Sequence, residues 1–275
     1  MKPVLETRSA NIDYEASTLI CEVCDEGFSF LVKGGNDVLH GLCVYQFREV
    51  IAGPEYAIAF KTFFDHHDML SENFSKTYLI YSMPESVLIP FEMYNSQNNA
   101  DILSTVHGDI GSDSIVLTDV LIDEKIYNTY RVPADILKEM MAAFPNAQSC
   151  HQYSVLLKNI MGQENKMSVI FYSQKIVLMA QQDGRLLLVN SFPYKSPEDV
   201  SYILLNSCRQ LALTNVSIEL SGLIDKDSAL FKEIYKYFEK VTLSSLPGTV
   251  QVSAELETHP SHFFSHFFGV EKVCE

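Results

Sequence analysis

The stretch Lys166–Leu246, KMSVIFYSQKIVLMAQQDGRLLLVNSFPYKSPEDVSYILLNSCRQLALTNVSIELSGLIDKDSALFKEIYKYFEKVTLSSL, decides how the chain folds. Met167 to Tyr172, Ile176 to Gln181 and Leu186 to Asn190 are short runs dense in Val, Ile, Leu and Phe. That is the composition of strands buried on both faces, so all three are expected at the centre of a sheet. Asp183-Gly184 supplies the positive φ of a tight hairpin between the second and third runs, which predicts an antiparallel meander. Ser196-Pro197-Glu198-Asp199 then opens a helix, with a capping hydroxyl, a proline suited to the first helical position and acids at the positive end of the dipole. Val200, Ile203, Leu204, Cys208 and Leu211 form its apolar stripe. Val216, Ile218 and Leu220 alternate with polar residues as a half-buried strand does, and Ser221-Gly222 ends it. Leu230, Ile234 and Phe238 mark a second amphipathic helix, and Val241 to Leu243 a closing strand. A strand, a crossover helix and a further strand imply parallel pairing, so the sheet is mixed.

The first half repeats this order. Thr18 to Cys24, Phe28 to Lys33 and Val38 to Phe47 are strand candidates joined at Asp25-Glu26-Gly27 and Gly34-Gly35-Asn36-Asp37, both strong turn signals. Gly53-Pro54-Glu55 starts a helix whose Tyr56, Phe60, Phe63 and Phe64 recur at the spacing of a core stripe. Thr77 to Tyr81 is a fourth strand. From Pro84 to about Leu121 the chain is richer in Asn, Ser, Asp and Gly. Apolar patches at Val87 to Pro90, Ile102 to Val106 and Ile115 to Leu117 predict a small inserted subdomain of short strands. The main unit is expected to resume with a strand at Ile126 to Val132 and a helix opened by Pro133 and stopped by Pro145. A last strand at Ala147 to Cys150 and a crossing helix over Tyr153 to Met161 complete it. Residues 1–150 and 151–275 are thus expected to form two domains.

At 275 residues and 47% hydrophobic composition the chain can bury one or two cores. Its formal charge of −15 and scattered Lys and Arg argue against binding to phosphate backbones or anionic lipid. No run approaches the ~20 apolar residues of a membrane span, and Met1 to Thr18 lacks the apolar centre of a signal peptide, which predicts a cytoplasmic protein without membrane insertion. Six cysteines do not make a disulfide framework in a chain of this length. Cys21 and Cys24 are three apart on a predicted strand and face opposite ways, so buried structural thiols are expected rather than a metal or redox centre. His66-His67 diverge on a helix and are poor joint ligands. His259, His262 and His266 are spaced so that a helix could gather them for zinc, but an ordinary terminal helix is expected, with Phe263, Phe264, Phe267 and Phe268 docking on the second domain. No nucleophile elbow, zinc-protease, Walker or dinucleotide motif is present.

Two copies of three strands, helix, strand, helix and strand resemble the ribonuclease-H-like duplication of the actin, sugar kinase and heat-shock chaperone ATPase fold. The insertion after the fourth strand of the first half is similar to the extra subdomain of FtsA and PilM. Tyr130-Arg131-Val132-Pro133, Phe144-Pro145 and Ser191-Phe192-Pro193-Tyr194 resemble strings of an uncharacterised bacterial family with the actin-like ATPase fold. The resemblance implies an α/β chain of two ribonuclease-H-like domains, and it says where a nucleotide would sit. In working members the first turn of each half carries Asp-x-Gly with Thr or Ser. Its backbone amides and hydroxyls hold phosphates while the carboxylate positions hydrated Mg²⁺. A Gly-rich turn after the fourth strand of the second half accepts adenosine.

On that pattern Asp25, Gly27 and Ser29 are the candidate phosphate and Mg²⁺ contacts, and Ser221 and Gly222 the candidate adenosine contacts. Phe28 stands where a small hydroxyl residue is expected, Glu26 adds negative charge, and Tyr172-Ser173-Gln174-Lys175 has neither Asp nor Gly. The expectation is a non-catalytic scaffold or regulatory module with a vestigial nucleotide site, no required cofactor and a protein partner bound through the cleft and insert, as the resemblance to PilM implies. The alternative is an ATPase or phosphotransferase in which Asp25 holds Mg²⁺ through water and Ser29 touches phosphate of ATP.

Overall fold

A computed structural model describes residues 1–47, 54–109, 113–159 and 164–274. The chain divides into two compact units: Met1–Val155 with Thr249–Thr258 and Val270–Glu275, and Leu156–Gly248 with His259–Gly269. Two segments of the tail therefore belong to the first unit, whereas a second domain continuous to 275 was expected.

In the first unit β1 (Lys2–Arg8), β2 (Thr18–Cys24), β3 (Gly27–Lys33) and β4 (Val38–Gln46) precede α1 (Pro54–Phe64) and β5 (Lys76–Ser82). The insert follows as β6 (Ser86–Pro90), α2 (Asn99–His107), β7 (Ser114–Leu121) and β8 (Ile126–Pro133). The main unit resumes with α3 (Ala134–Ala143) and β9 (Gln148–His151), and α4 (Gln152–Lys158) carries the chain across the boundary into the second unit. Gly53, the expected start of the first helix, and Met161, the expected end of the fourth, lie outside the described residues. The main sheet runs β1-β4-β3-β2-β5-β9, with β2, β3 and β4 antiparallel and β5 and β9 parallel to β2 and to each other. The Phe stripe of α1 is core, as its spacing predicts: Phe60 and Phe63 are buried with Ile136 and Met140 of α3 beneath Phe28 and Phe30 of β3.

Two expectations for the insert are corrected. Ile102 to Val106 is helical, not a strand. Strand β8, expected in the main sheet, is instead the centre of a separate three-stranded sheet ordered β6-β8-β7, so the insert extends through Pro133. Its apolar residues are satisfied by either sheet, and periodicity does not say which neighbour a strand takes. Strand β1 has too little alternation to be legible and is fixed by antiparallel pairing to the edge of β4.

In the second unit β10 (Lys166–Phe171), β11 (Lys175–Gln182), β12 (Arg185–Pro193), α5 (Pro197–Gln210), β13 (Ser217–Gly222), α6 (Ala229–Tyr235) and β14 (Val241–Leu243) follow one another. The sheet order is β12-β11-β10-β13-β14. Strand β12 is consequently an edge strand and not the sheet centre its composition predicts, since a meander followed by crossovers from its first strand leaves the third strand outermost. Asp183 and Gly184 take φ of 51° and 73°, as an Asp-Gly hairpin requires. Ser196 and Asp199 form a reciprocal capping box at the start of α5, worth about 1 kcal/mol to the helix.

The last elements are β15 (Gln251–Val252), which pairs with β4 in the first unit, and α7 (Val270–Cys274). Between them the tail does not form the expected helix. It makes two 3-10 turns, Ser261–Phe263 and Ser265–Phe267, that pack against β13 and fully bury Phe264 and Phe267. The aromatic tail docks, as expected, but with a three-residue repeat. His262 is buried with its Nε2–H donating to the Ile224 carbonyl at 2.7 Å. Burial pulls its pKa below the ordinary value. The folded state thus holds His262 neutral, while the unfolded chain binds the proton near pH ~6.5. Stability should be fully present above that pH and fall as pH drops through it. Urea unfolding at pH 5 and pH 8 is expected to show a loss in acid for the wild type that is smaller in His262→Gln.

Candidate functional site

The β2–β3 hairpin carries the first-half candidates. Cys24 pairs with Gly27, which leaves Asp25 and Glu26 as a two-residue connection. Asp25 is exposed, and its carbonyl accepts from the Tyr56 hydroxyl at 3.5 Å. Gly27 does not take positive φ, so conformational freedom is not what requires a glycine there. A Cβ at this position would lie 2.0 Å from the Tyr45 carbonyl oxygen and 2.9 Å from Cα of Gln46. The close approach is made by strand β4.

Phe28 is 1% exposed. It sits among Phe60, Phe63, Phe64 and Phe144, with ring centroids 5.4 to 6.5 Å away, a cluster held by apolar burial and edge-to-face contact. The residue after the turn glycine is therefore part of the core between sheet and helices. Ser29 is half-buried, paired across the sheet with Glu22 and Val44.

The second-half candidates lie in the other unit. Ser221 is buried, its hydroxyl donating to the Val169 carbonyl at 3.4 Å. Gly222 takes φ +77°, and a Cβ there would stand 2.4 Å from the Phe171 carbonyl oxygen. That oxygen also accepts from the Leu223 N–H at 2.8 Å. The matching turn, Ser173-Gln174, is exposed and closed by Tyr172 N–H donating to the Lys175 carbonyl at 2.9 Å. The structure brings Asp25, Gly27 and Ser29 together on one hairpin and Ser221 and Gly222 together on one strand end.

Beside Asp25, within the first unit, lies a cavity of about 180 Å³ lined among others by Tyr56, Met83, Glu85, Arg131 and Ile136. It sits where the insert meets the main sheet. Arg131 on β8 is buried, and its guanidinium donates to Glu85 Oε2 at 3.3 Å, the Gly108 carbonyl at 3.0 Å and Ser104 Oγ at 2.7 Å. The cavity wall thus combines the paired Arg131 and Glu85 with Asp25, Ser114 and apolar side chains. Sequence reading picked out Arg131 only as part of a string and missed Tyr56 and Glu85 as wall residues, because nothing local marks them.

A buried polar network anchors the insert. Asp119 of β7 accepts from the Tyr130 hydroxyl at 3.1 Å, the His151 backbone N–H at 2.7 Å and the Ser154 hydroxyl at 2.6 Å. Asn128 donates to Ser154 Oγ at 2.9 Å and accepts from the Ser86 hydroxyl. The Tyr153 N–H donates to His151 Nδ1 at 3.1 Å, which places the ring proton on Nε2, donating to the Met83 carbonyl at 2.8 Å. Burial pushes Asp119 up from the ordinary carboxylate value, against its three hydrogen bonds. It also raises the Tyr130 phenol, with Asp119 adding to the effect.

The other sequence candidates are structural. Cys21 and Cys24 are buried and unbridged, and burial raises the Cys21 thiol well above its usual value. His66 and His67 point Nδ1 at the carbonyls of Thr62 and Phe63, each at 2.7 Å. Among the described residues no three His, Cys, Asp or Glu side chains are placed to hold a metal ion. Nor is any described helix long and apolar enough to cross a membrane.

A family model described as "Protein of unknown function (DUF3822)" matches residues 8–241. The chain belongs to that family. Among solved structures, this DUF3822 chain is similar to a Bacteroides thetaiotaomicron protein with actin-like ATPase fold and unknown function. The TM-score is 0.72 at 19% identity, covering 86% of this chain and 94% of that one. It is also similar to the PilM-PilN type IV pilus biogenesis complex, with TM-score 0.62 at 9% identity over 95% of this chain and 99% of that one. No curated protein matches the sequence. The DUF3822 chain has the actin-like ATPase fold, as the duplicated element order and the insert predict. At these identities the likeness concerns the fold.

Proposed function

We propose that the protein is a non-catalytic scaffold that binds a protein partner through the first unit and its insert, and that its nucleotide site is vestigial. The observation that carries this reading is the packing of the β2–β3 turn. The glycine that would admit a phosphate is enclosed by β4, and the position that would offer a hydroxyl is the core residue Phe28. Exposed Asp25 remains, with Ser29 half-buried, and neither supplies the missing amide cradle. The second-half turn contributes two exposed neutral side chains, and Gly222 is accounted for by its own φ and by Phe171. ATP and Mg²⁺ do not fit this set of groups, and no chemical step is assigned to it.

The partner reading draws on the insert. Met93, Val106, Ile115, Val120 and Ile122 are all exposed there, Met93 by 73% and Ile122 by 70%, an unusual density for a small subdomain that need not meet another surface. The cavity, mainly apolar with Asp25, Ser114 and the paired Arg131–Glu85 at its wall, has the character of a pocket for one side chain of a bound segment. The similar PilM structure is that of a complex with PilN.

Calorimetric titration with ATP and Mg²⁺ is expected to give no binding heat. Binding tighter than about 100 μM, roughly −5.5 kcal/mol, and abolished by Asp25→Ala would overturn the vestigial-site reading. Proteins co-purifying with the wild type are expected to be lost from the double variant Val120→Asp, Ile122→Asp. Retention of every partner would overturn the insert as the docking surface.

A further inference from the structure

Strand β9 and helix α7, packed against each other, bring two cysteines together. Cys150 of β9 pairs in register with Ile80 of β5. Side chains alternate along a strand, and Leu79 and Tyr81 belong to the core under α1 and α3. Ile80 and Cys150 therefore face the other side of the sheet. Helix α7 packs on that side, against β5, β9 and β7. Its last residue, Cys274, is half-buried beside Cys150, which is 1% exposed, and the neighbouring Cys274 thiol together with burial holds the Cys150 thiol well above its usual pKa. Both are free cysteines and both belong to the first unit.

We propose that Cys150 and Cys274 are a dithiol oxidation site, converted to an intramolecular disulfide by a low-molecular-weight disulfide and reversed by thiols. The more accessible sulfur is Cys274, so the first step is attack of its thiolate on one sulfur of the small disulfide. The S–S bond of the reagent breaks, one thiolate leaves and a mixed disulfide forms on Cys274. Cys150 then attacks the Cys274 sulfur, the mixed bond breaks and the second small thiolate leaves. The protons of the two protein thiols end on the two released thiolates. Two protein thiols lose two electrons and one small disulfide gains them.

The arrangement selects this pair. Cys21 and Cys43 both face Phe30, one across each edge of β3, so two interstrand spacings of roughly 4.8 Å separate them. That exceeds the Cα separation a disulfide spans. Cys21 and Cys24 are three apart on one extended strand and point to opposite faces. Cys208 lies in the other unit, on α5. Once formed, the bond would pin to β9 a helix of five residues, joined to β3 by the Lys33–Glu271 ion pair at 2.9 Å. It would do so beside His151 and the network that anchors the insert.

The test treats the folded full chain with glutathione disulfide, blocks free thiols with N-ethylmaleimide and maps unreduced peptides. A linked peptide joining Cys150 to Cys274 is expected, with two of the six thiols lost and all six recovered with dithiothreitol. Cys274→Ser, a change at a half-buried helix end, is expected to remain folded by circular dichroism and to form no internal link. A persistent glutathione adduct on Cys274, a different cysteine pair, or six unreacted thiols in the folded wild type would each overturn the proposal.

Discussion

Gly27→Ala is expected to cost about 4 kcal/mol or more, placing it in the exceptional tail of single substitutions, and to leave the first unit largely unfolded. The added Cβ would meet the Tyr45 carbonyl oxygen at 2.0 Å, an overlap that no rotamer relieves because a Cβ is fixed by its own backbone and the oxygen is a backbone atom of the paired strand. The β3–β4 register would have to slip or splay, and a slip of one residue turns Phe28 and Phe30 out of the core. Gly108→Ala provides the comparison. Gly108 has φ +86° with no atom within 4 Å of a Cβ, so its cost is backbone strain alone, about 1–3 kcal/mol. Urea unfolding followed by circular dichroism ranks the two. A stable, fully folded Gly27→Ala protein would mean that strand packing does not dictate this glycine, and would return it to the role of admitting a ligand.

Asp119→Ala is expected to destabilise by about 3–5 kcal/mol, the sum for three neutral donors orphaned at about 1–3 kcal/mol each. The change strands the Tyr130 hydroxyl, the His151 N–H and the Ser154 hydroxyl away from water, and each orphaned group carries its own desolvation penalty. Because these three lie on β8, β9 and α4, the insert should loosen first, and limited proteolysis is expected to cut within 84–133 before the main sheet. Asp119→Asn keeps one acceptor oxygen and the volume, and should lose less. The pH dependence separates charge from shape. Burial raises the folded pKa of Asp119 above its unfolded value, so the unfolded chain ionises first. Stability from this group is full below the unfolded pKa and is lost as pH rises through the folded one. Asn has no such loss, so the gap between wild type and Asp119→Asn should narrow as pH rises. A gap that widens instead would show that the carboxylate, not the neutral acid, is the favoured folded form.

Much of the second unit is legible in local chemistry. Asp183-Gly184, the Ser196–Asp199 box and the alternation around Ile218 each specify one structure over a few residues, and the strands and helices fall where those signals put them. The insert is less legible. Ile102 to Val106 reads equally as strand or helix over five residues, and β8 has the composition of a main-sheet strand. Of the candidate site, the residues that form its hairpin were readable from Asp25-Glu26-Gly27, but the wall made by Tyr56, Met83, Glu85 and Arg131 was not. Those four come from α1, from the segment joining β5 to β6 and from β8, and their meeting is a long-range fact with no local signature.

The sequence by itself determined the duplicated order of strands and helices, the hairpin turns and the apolar stripes, because period, turn chemistry and capping act over neighbouring residues. Only the tertiary structure decided why Gly27 and Gly222 are glycines, on which side of the chain Phe28 is spent, and that Cys150 meets Cys274. Each depends on which backbone segment comes to lie against which, and that is settled by closing a whole sheet around its core.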